Sequence, residues 1–272
     1  MGFPFGSVVF MLLLAAGMFY GQAQYKKRGA EWGKLLTIVC GFLIIVAAFW
    51  TNLCQGNVNS AAIERERQYQ RAEAIVLANQ LASVYKGNGK CLLIHNPVFG
   101  KSMNEVENLI DAFEEGFIGK VTEIRPVPIK ETTQRAIREI TAEDFNKIID
   151  KNSDCDLIIT LVSLPFKEDQ LYKIDSFEMI PDENDSSIYI KDPNKKYPLF
   201  GVVRGSVSHL ETLLNDGLIG AMSLYKPKPT IDEEPVPESA QEAFNKRYLI
   251  VTPQNLKSIK SKHPSLFPKP RK

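Results

Sequence analysis

The chain has 272 residues, 44% hydrophobic and 24% charged, and its 33 basic side chains stand against 32 acidic ones for a formal net charge of +1. That excludes a disordered chain, which is less apolar, and a dedicated nucleic-acid binder, which carries a strong basic excess. Four cysteines do not make a disulfide framework, and 17 glycines with 16 prolines in no repeat do not make a fibrous protein.

The first element in chain order is an uncharged run over 2–21, and the second is another over 35–53. At 1.5 Å per helical residue each is long enough for a hydrocarbon core of about 30 Å. The first has no Lys or Arg ahead of it to serve as the basic n-region of a secretory signal, so it reads as a retained span. Between the runs, Lys26, Lys27, Arg28 and Lys34 outweigh Glu31. Short Lys/Arg-rich loops stay on the cytoplasmic side. The expectation is a transmembrane helical hairpin (1–54) with the rest of the chain extracytoplasmic and the lipid bilayer as a partner. Gly17 and Gly21 have the small-xxx-small spacing of a close helix contact.

Residues 59–86 lack Pro and Gly, and Ile63, Ala74, Leu77, Leu81 and Val84 form an apolar stripe. This predicts a helical stalk over 55–89, packed on its own domain or self-associating.

From 90 to 263 short apolar runs alternate with helical patterns, the signature of a mainly parallel sheet. Strands are expected at Cys91 to His95, Val121 to Ile129, Asp156 to Val162, Leu199 to Val203, Leu218 to Leu224 and Tyr248 to Val251. Helices are expected at Asn104 to Glu115, Thr133 to Ile149 with a break near Thr141, Ser208 to Asn215 and Asn255 to Lys262. Ser102 with Glu105 and Ser208 with Glu211 read as capping boxes, Thr141 with Asp144 as a weaker one, and Thr252-Pro253 as a further helix start. An antiparallel hairpin interrupts the rhythm at Ser176 to Ile180 and Ser187 to Lys191, residues 226–238 form a Pro-blocked surface loop, and 264–272 are a basic Pro-rich tail. The fold class is therefore α/β, Rossmann-like, in a flavodoxin-like or single periplasmic-binding-lobe arrangement.

In such sheets ligands bind beyond the carboxyl ends of the strands. That rim carries His95, Asn96, Ser163, Arg204, Gly205, Ser206 and Thr252. Gly100-Lys101-Ser102 ends like a phosphate-cradling loop, but His95 stands where the first Gly belongs and Pro97 removes an amide. Arg204, Gly205 and the following helix start could together hold a carboxylate, phosphate or sulfate; the other reading pairs Arg204 with a neighbouring carboxylate. Three histidines, no Gly-x-Ser-x-Gly and no His-Glu-x-x-His leave no convincing nucleophile, base or metal set. Asp182-Glu183-Asn184-Asp185 reads as an acidic turn. Cys91 and Cys155 precede neighbouring strands and read as small buried apolar residues, with a disulfide as the alternative.

These features point to a membrane-anchored extracytoplasmic binding or assembly module that is non-catalytic. No cofactor, metal or nucleic acid is expected. The first alternative is a small anionic ligand receptor or transport-associated binding domain, and the second an envelope hydrolase or transferase. Self-association through the spans and stalk is a further expectation. The near-zero net charge is itself a cancellation, with +5 over 1–90, −10 over 91–253 and +6 over 254–272.

Overall fold

The computed structural model describes residues 5–86, 89–96, 103–129, 141–165, 168–181, 189–192, 195–227 and 235–267. The chain divides into two compact units, Met1–Glu66 and Arg67–Lys272.

In the first unit, α1 (Phe5–Arg28) turns through Gly29 into the first part of α2 (Glu31–Val84). Gly29 has a φ of +66°, the left-handed conformation that suits a helix end. The two helices touch backbone to backbone. A Cβ on Gly33 would lie 2.5 Å from the Gly21 carbonyl oxygen, and one on Gly17 3.1 Å from the Cys40 sulfur. Thr37 Oγ1 donates to the Gly33 carbonyl at 2.9 Å and lies 3.3 Å from that of Met18. The small residues at 17 and 21 are thus used inside this hairpin. The two expected membrane spans are not supported, because among the described residues no helix is long and apolar enough to cross a membrane. The apolar stretches 12–21 and 35–46, whose side chains are described, rise about 15 and 18 Å, roughly half of a hydrocarbon core.

In the second unit, six strands form one sheet in the order β2-β1-β3-β6-β7-β8. They are β1 (Gly89–His95), β2 (Val121–Pro128), β3 (Cys155–Thr160), β6 (Leu199–Val202), β7 (Ile219–Tyr225) and β8 (Tyr248–Val251). All pairs are parallel except β7 with β8. The chain places β2 to one side of β1 and β3 to the other, the flavodoxin-like reversal. The expected inserted hairpin is a short antiparallel pair, β4 (Ile180–Pro181) and β5 (Tyr189–Ile190). Ser176 falls outside it, in a 3₁₀ turn over Asp175–Phe177.

In β1, β3, β6 and β7 the side chains alternate between two buried faces, which explains their continuous apolar runs, whereas edge strand β2 is only partly covered. Leu92 and Ile94 of β1 point into a core with α4 (Ala142–Asp150), α6 (Val207–Asn215) and α8 (Leu256–Lys262), whose members include Phe145, Leu213 and Leu256. Cys91 and Leu93 point the other way, onto residues 74–81 of α2 and onto Ala112, Phe113 and Phe117 of α3 (Met103–Phe117). A third cluster joins Tyr69, Ala72 and Val76 to Phe244 and Ala243 of α7 (Ala240–Arg247) and to Tyr248.

Residues 67–84 are therefore packed on the α/β unit as its first helix, the first of the two readings expected for this segment. Ala72, Glu73, Ala74, Ile75, Val76, Leu77 and Ala78 are all buried, because the sheet, α3 and α7 cover this stretch from several sides. Ile63, expected on the same stripe, is 52% exposed and belongs to the first unit.

Of the helix starts, the Thr141–Asp144 box is fully formed at the head of α4. The cap of α6 is Ser206, two residues before the expected Ser208, and it makes no side-chain capping bond. Thr252 and Asn255 bond each other reciprocally, the Thr252 amide to Asn255 Oδ1 at 2.8 Å and the Asn255 amide to Thr252 Oγ1 at 3.3 Å, which delays α8 past Pro253 to Leu256. Helix α7 was not expected; its apolar face is only Ala240, Ala243 and Phe244, too short a periodicity to read. The Ser102 box, the Gly100-Lys101-Ser102 loop, the helix start at 133–140, the turn at Asp182–Asp185 and the tail from 268 lie outside the described residues.

Cys91 and Cys155 are free thiols, both buried. In the register Cys155 stands opposite Lys90 and Cys91 opposite Leu157, so the two are not cross-strand partners, and they pack in different cores. Burial, with Cys155 adding to it, pushes the Cys91 thiol far up and keeps it from the thiolate that would react. The expected result is no mass difference for a 91–155 link with and without reductant, and alkylation of Cys91 only after unfolding; a two-proton mass loss in the non-reduced protein would overturn this.

Candidate functional site

The carboxyl ends of β1, β3 and β6 form one rim, the side on which open α/β sheets bind ligands, with the reversal of strand order between β1 and β3. His95 and Asn96 end β1, but His95 is only 7% exposed and is absorbed in the strand end. Its Nδ1 lies 3.2 Å from the Asn96 carbonyl, and its own carbonyl accepts the Ile129 amide at 2.9 Å. Neither residue lines the rim's cleft.

That cleft, of about 100 Å³, is lined by Ser163, Leu164 and Pro165 after β3 and by Arg204, Gly205, Ser206 and Leu210 after β6. Four of the seven expected residues therefore meet; Thr252 follows β8, which runs antiparallel to its neighbour, and does not line the cleft. Ser163 and Ser206 are exposed, and the first turn of α6 follows directly. Sites that enclose a drug-sized ligand measure roughly 300–1,000 Å³. This one has room for a single polar group at the end of a ligand.

The turn beside it is tightly determined. Arg204 has a φ of +56°, a left-handed conformation that a non-Gly residue keeps only when its surroundings hold it. Its amide donates to Ser223 Oγ at 3.1 Å. At Gly205 a Cβ would overlap Met222 Sδ and sit 2.8 Å from Val202 Cγ1, so a side chain there would force both neighbours to shift.

The guanidinium of Arg204 is the principal departure from expectation. It is turned onto a carboxylate of its own unit. Its Nε and Nη2 donate to Glu73 Oε2 at 2.9 and 2.8 Å, while Ser223 Oγ donates to Glu73 Oε1 at 2.7 Å. Glu73 is 2% exposed, on the α2 segment that belongs to this unit. Tyr225 and Tyr248 place their ring centroids 5.2 and 5.8 Å from the guanidinium carbon, a cation–π arrangement. Burial alone would lower the pKa of Arg204; the charge of Glu73 and the hydrogen bonds to it outweigh burial and hold it above the ordinary value. The reading with Arg204 paired to a carboxylate is the one the geometry bears out.

Glu73, Ser223, Tyr225 and Tyr248 were not singled out from the sequence. The one available signal was Glu73 itself, a charge four residues before Leu77 and eight before Leu81 on a buried stripe. A larger recess of about 350 Å³ lies elsewhere, lined by Ala72, Ala240 and Ala243 with Arg71, Glu115 and Glu238 among its other residues. Its best donor and acceptor already pair with each other, Arg71 with Glu115 at 2.5 Å. Among the described residues no group of three or more His, Cys, Asp or Glu side chains is placed to hold a metal ion.

At the opposite, amino end of the sheet the charged groups stabilise the unit. Arg125 grips Asp154 with both terminal nitrogens, at 3.0 and 3.2 Å, and holds its carboxyl well below the usual range, with Lys90 adding to the effect. Lys196, through its hydrogen bond to Asp156, lowers that carboxyl from its ordinary value. The Asp156 carboxylate also accepts from Tyr85, whose hydroxyl is pushed up to about 12, first by burial and then by that hydrogen bond. A carboxylate whose pKa falls on folding contributes stability that is present above its unfolded value, ~4, and is lost as pH drops below it. Tyr85 contributes in the opposite window, with full effect below ~10 and loss as pH rises toward its folded value. The urea midpoint is expected to fall as pH drops through ~4, and Asp154→Asn to flatten that fall; an unchanged slope in the variant would refute the assignment.

No family model and no curated protein matches the chain. Among solved structures it is similar to a glucose-galactose binding protein from Geobacillus stearothermophilus, at 13% identity and a TM-score of 0.40 over 69% of this chain and 61% of that one. It is also similar to a galactofuranose binding protein, at 13% identity and a TM-score of 0.43 over 72% and 63%. An arabinose binding protein from Geobacillus stearothermophilus gives 12%, 0.39, 70% and 62%. The chain thus spans less than two thirds of the length of each.

Proposed function

We propose that residues 67–272 form a non-catalytic binding module that takes the anionic end of a small ligand in the cleft between Ser163 and Ser206. The observation that carries this is the convergence of Ser163, Gly205 and Ser206 at the carboxyl end of the parallel sheet, beside the amino end of α6. Hydroxyl groups and first-turn amides favour a carboxylate or phosphate there. Arg204 supports the turn's shape through Glu73. The test is titration of inorganic phosphate and acetate into the full-length chain by calorimetry. Ser163→Leu, which fills the cleft at an exposed position, should weaken binding about tenfold or more, the loss of one hydrogen bond to a charged group; equal affinity in the variant overturns the proposal.

A specific observation favours a second element of the reading, that the first unit seats in a bilayer and leaves the α/β unit extracytoplasmic. Leu12, Leu13, Phe19, Leu35, Ile38, Phe42 and Ile45 are each 60–68% exposed, an apolar surface that water does not favour. The uncharged runs 2–21 and 35–53 extend that surface in sequence, and the basic turn between them favours the cytoplasmic side. Reporter fusions after Lys272 test it: an extracytoplasmic signal is expected, and a cytoplasmic one sinks the orientation.

A further inference from the structure

We infer that the tip of the α1–α2 hairpin is a binding site for anionic lipid headgroups, an inference that rests on the bilayer reading above. Three kinds of side chain follow one another along the hairpin. The last turn of α1 is Lys26, Lys27 and Arg28, and Lys34 lies in the first turns of α2; all four are exposed. Next come the aromatic side chains Tyr25, Trp32 and Tyr20, 44%, 52% and 57% exposed, with Tyr20 and Trp32 packed at 6.2 Å between ring centroids. Beyond them the exposed side chains are aliphatic or Phe, from Phe19 to Leu12 on α1 and from Leu35 to Ile45 on α2.

The spacing matches the depth profile of one leaflet. Eight residues separate Arg28 from Tyr20, about 12 Å of helix, and eight more reach Leu12. The headgroup layer of one leaflet is about 5–8 Å deep, so it fits within the first of these stretches. Tyr and Trp prefer that boundary, since each has an apolar ring and a polar edge. Cations held just outside the boundary attract acidic headgroups more than zwitterionic ones, with an effect of about fivefold in affinity per cation. Glu31 is the one acidic residue at the tip, so the local balance is positive. A nucleic acid or an acidic protein would answer the cations alone. A lipid surface answers the cations, the aromatic band and the apolar shaft together.

Cations in the last turn of a helix also complement its dipole, a role that is indifferent to lipid. The experiment separates the two roles. Full-length chain carrying Trp50→Phe, which leaves Trp32 as the sole tryptophan, is reconstituted into phosphatidylcholine vesicles. Quenching of Trp32 is then compared for brominated phosphatidylglycerol and brominated phosphatidylcholine at equal mole fraction. The expected result is a several-fold preference for phosphatidylglycerol that is lost at high salt and in Lys26→Gln/Lys27→Gln/Arg28→Gln, and is retained in Lys26→Arg/Lys27→Arg. Equal quenching by the two lipids, or a preference that the triple Gln variant keeps, overturns the inference and leaves the bilayer reading standing. Absence of quenching by either lipid overturns both, and a soluble polyanion that abolishes the preference by occupying the tip with higher affinity assigns the site to a different partner.

Discussion

Glu73→Ala is expected to destabilise the α/β unit by about 3–5 kcal/mol, the cost of leaving a buried charge without its partner. Arg204 has its guanidinium between Tyr225 and Tyr248, and both of its bonds to a carboxylate go to Glu73. Removing the carboxylate also deprives Ser223 Oγ of its 2.7 Å acceptor. The Arg204 amide shares that same hydroxyl, so the loss reaches the backbone of the β6–α6 turn. The turn carries the strain of a positive φ at Arg204, and its shape sets the cleft. Chemical denaturation of the full-length chain should therefore show the loss of stability, and phosphate binding should weaken in the fraction that stays folded. The double variant Glu73→Leu/Arg204→Met removes both charges and should recover most of the stability, because an apolar pair of similar volume costs little in such a site. A Glu73→Ala variant within about 0.5 kcal/mol of wild type, the range of an ordinary surface change, would show that the pair does not hold the turn.

Gly116→Val should cost about 3 kcal/mol, at the upper end of what overpacking usually costs. A Cβ at 116 would lie 2.5 Å from the Ile75 carbonyl oxygen, 2.6 Å from Ala78 Cβ and 3.0 Å from Ile75 Cα. Two of those three atoms are backbone and cannot rotate away. Helix α3 would have to lift from residues 67–84, taking Phe113 and Phe117 out of the cluster they share with Leu77, Leu81 and Leu93. Gly119→Ala is the internal control. Its φ is +73° but nothing lies within 4 Å of a Cβ there, so it should cost only the backbone strain, about 1 kcal/mol. Thermal or urea unfolding of the two variants settles the comparison, and equal losses would mean that close helix approach is not what position 116 requires.

The strands were legible because burial on both faces leaves a mark that needs no tertiary information. Leu92 and Ile94 face one core while Cys91 and Leu93 face the other, so the run reads as unbroken apolar sequence bounded by polar turns. The Thr141–Asp144 box was legible for a similar reason, since both partners lie within one helical turn. Helix α7 was not, since it offers only three apolar residues and a Ser239 cap; α8 was expected from Asn255 and begins one residue later, but it is started by the Thr252–Asn255 exchange and not by Pro253 behind a Thr252 cap.

The candidate site divides along the same line. That Ser163, Arg204, Gly205 and Ser206 belong to one rim followed from strand ends and the rule for open α/β sheets, with no contact known in advance. By itself the sequence determined the alternating α/β pattern, the basic tip between two apolar runs, and this set of rim residues, because each is written in local periodicity and charge. Only the tertiary structure decided that residues 67–84 are a core helix, that His95 is spent inside a strand end, and that Arg204 turns inward. The reason is separation along the chain. Glu73 and Arg204 are 131 positions apart and Glu73 and Ser223 150 apart. A lone Glu on a helix and a lone Arg after a strand announce nothing about each other until the sheet carries the β6 turn to the helix that covers it.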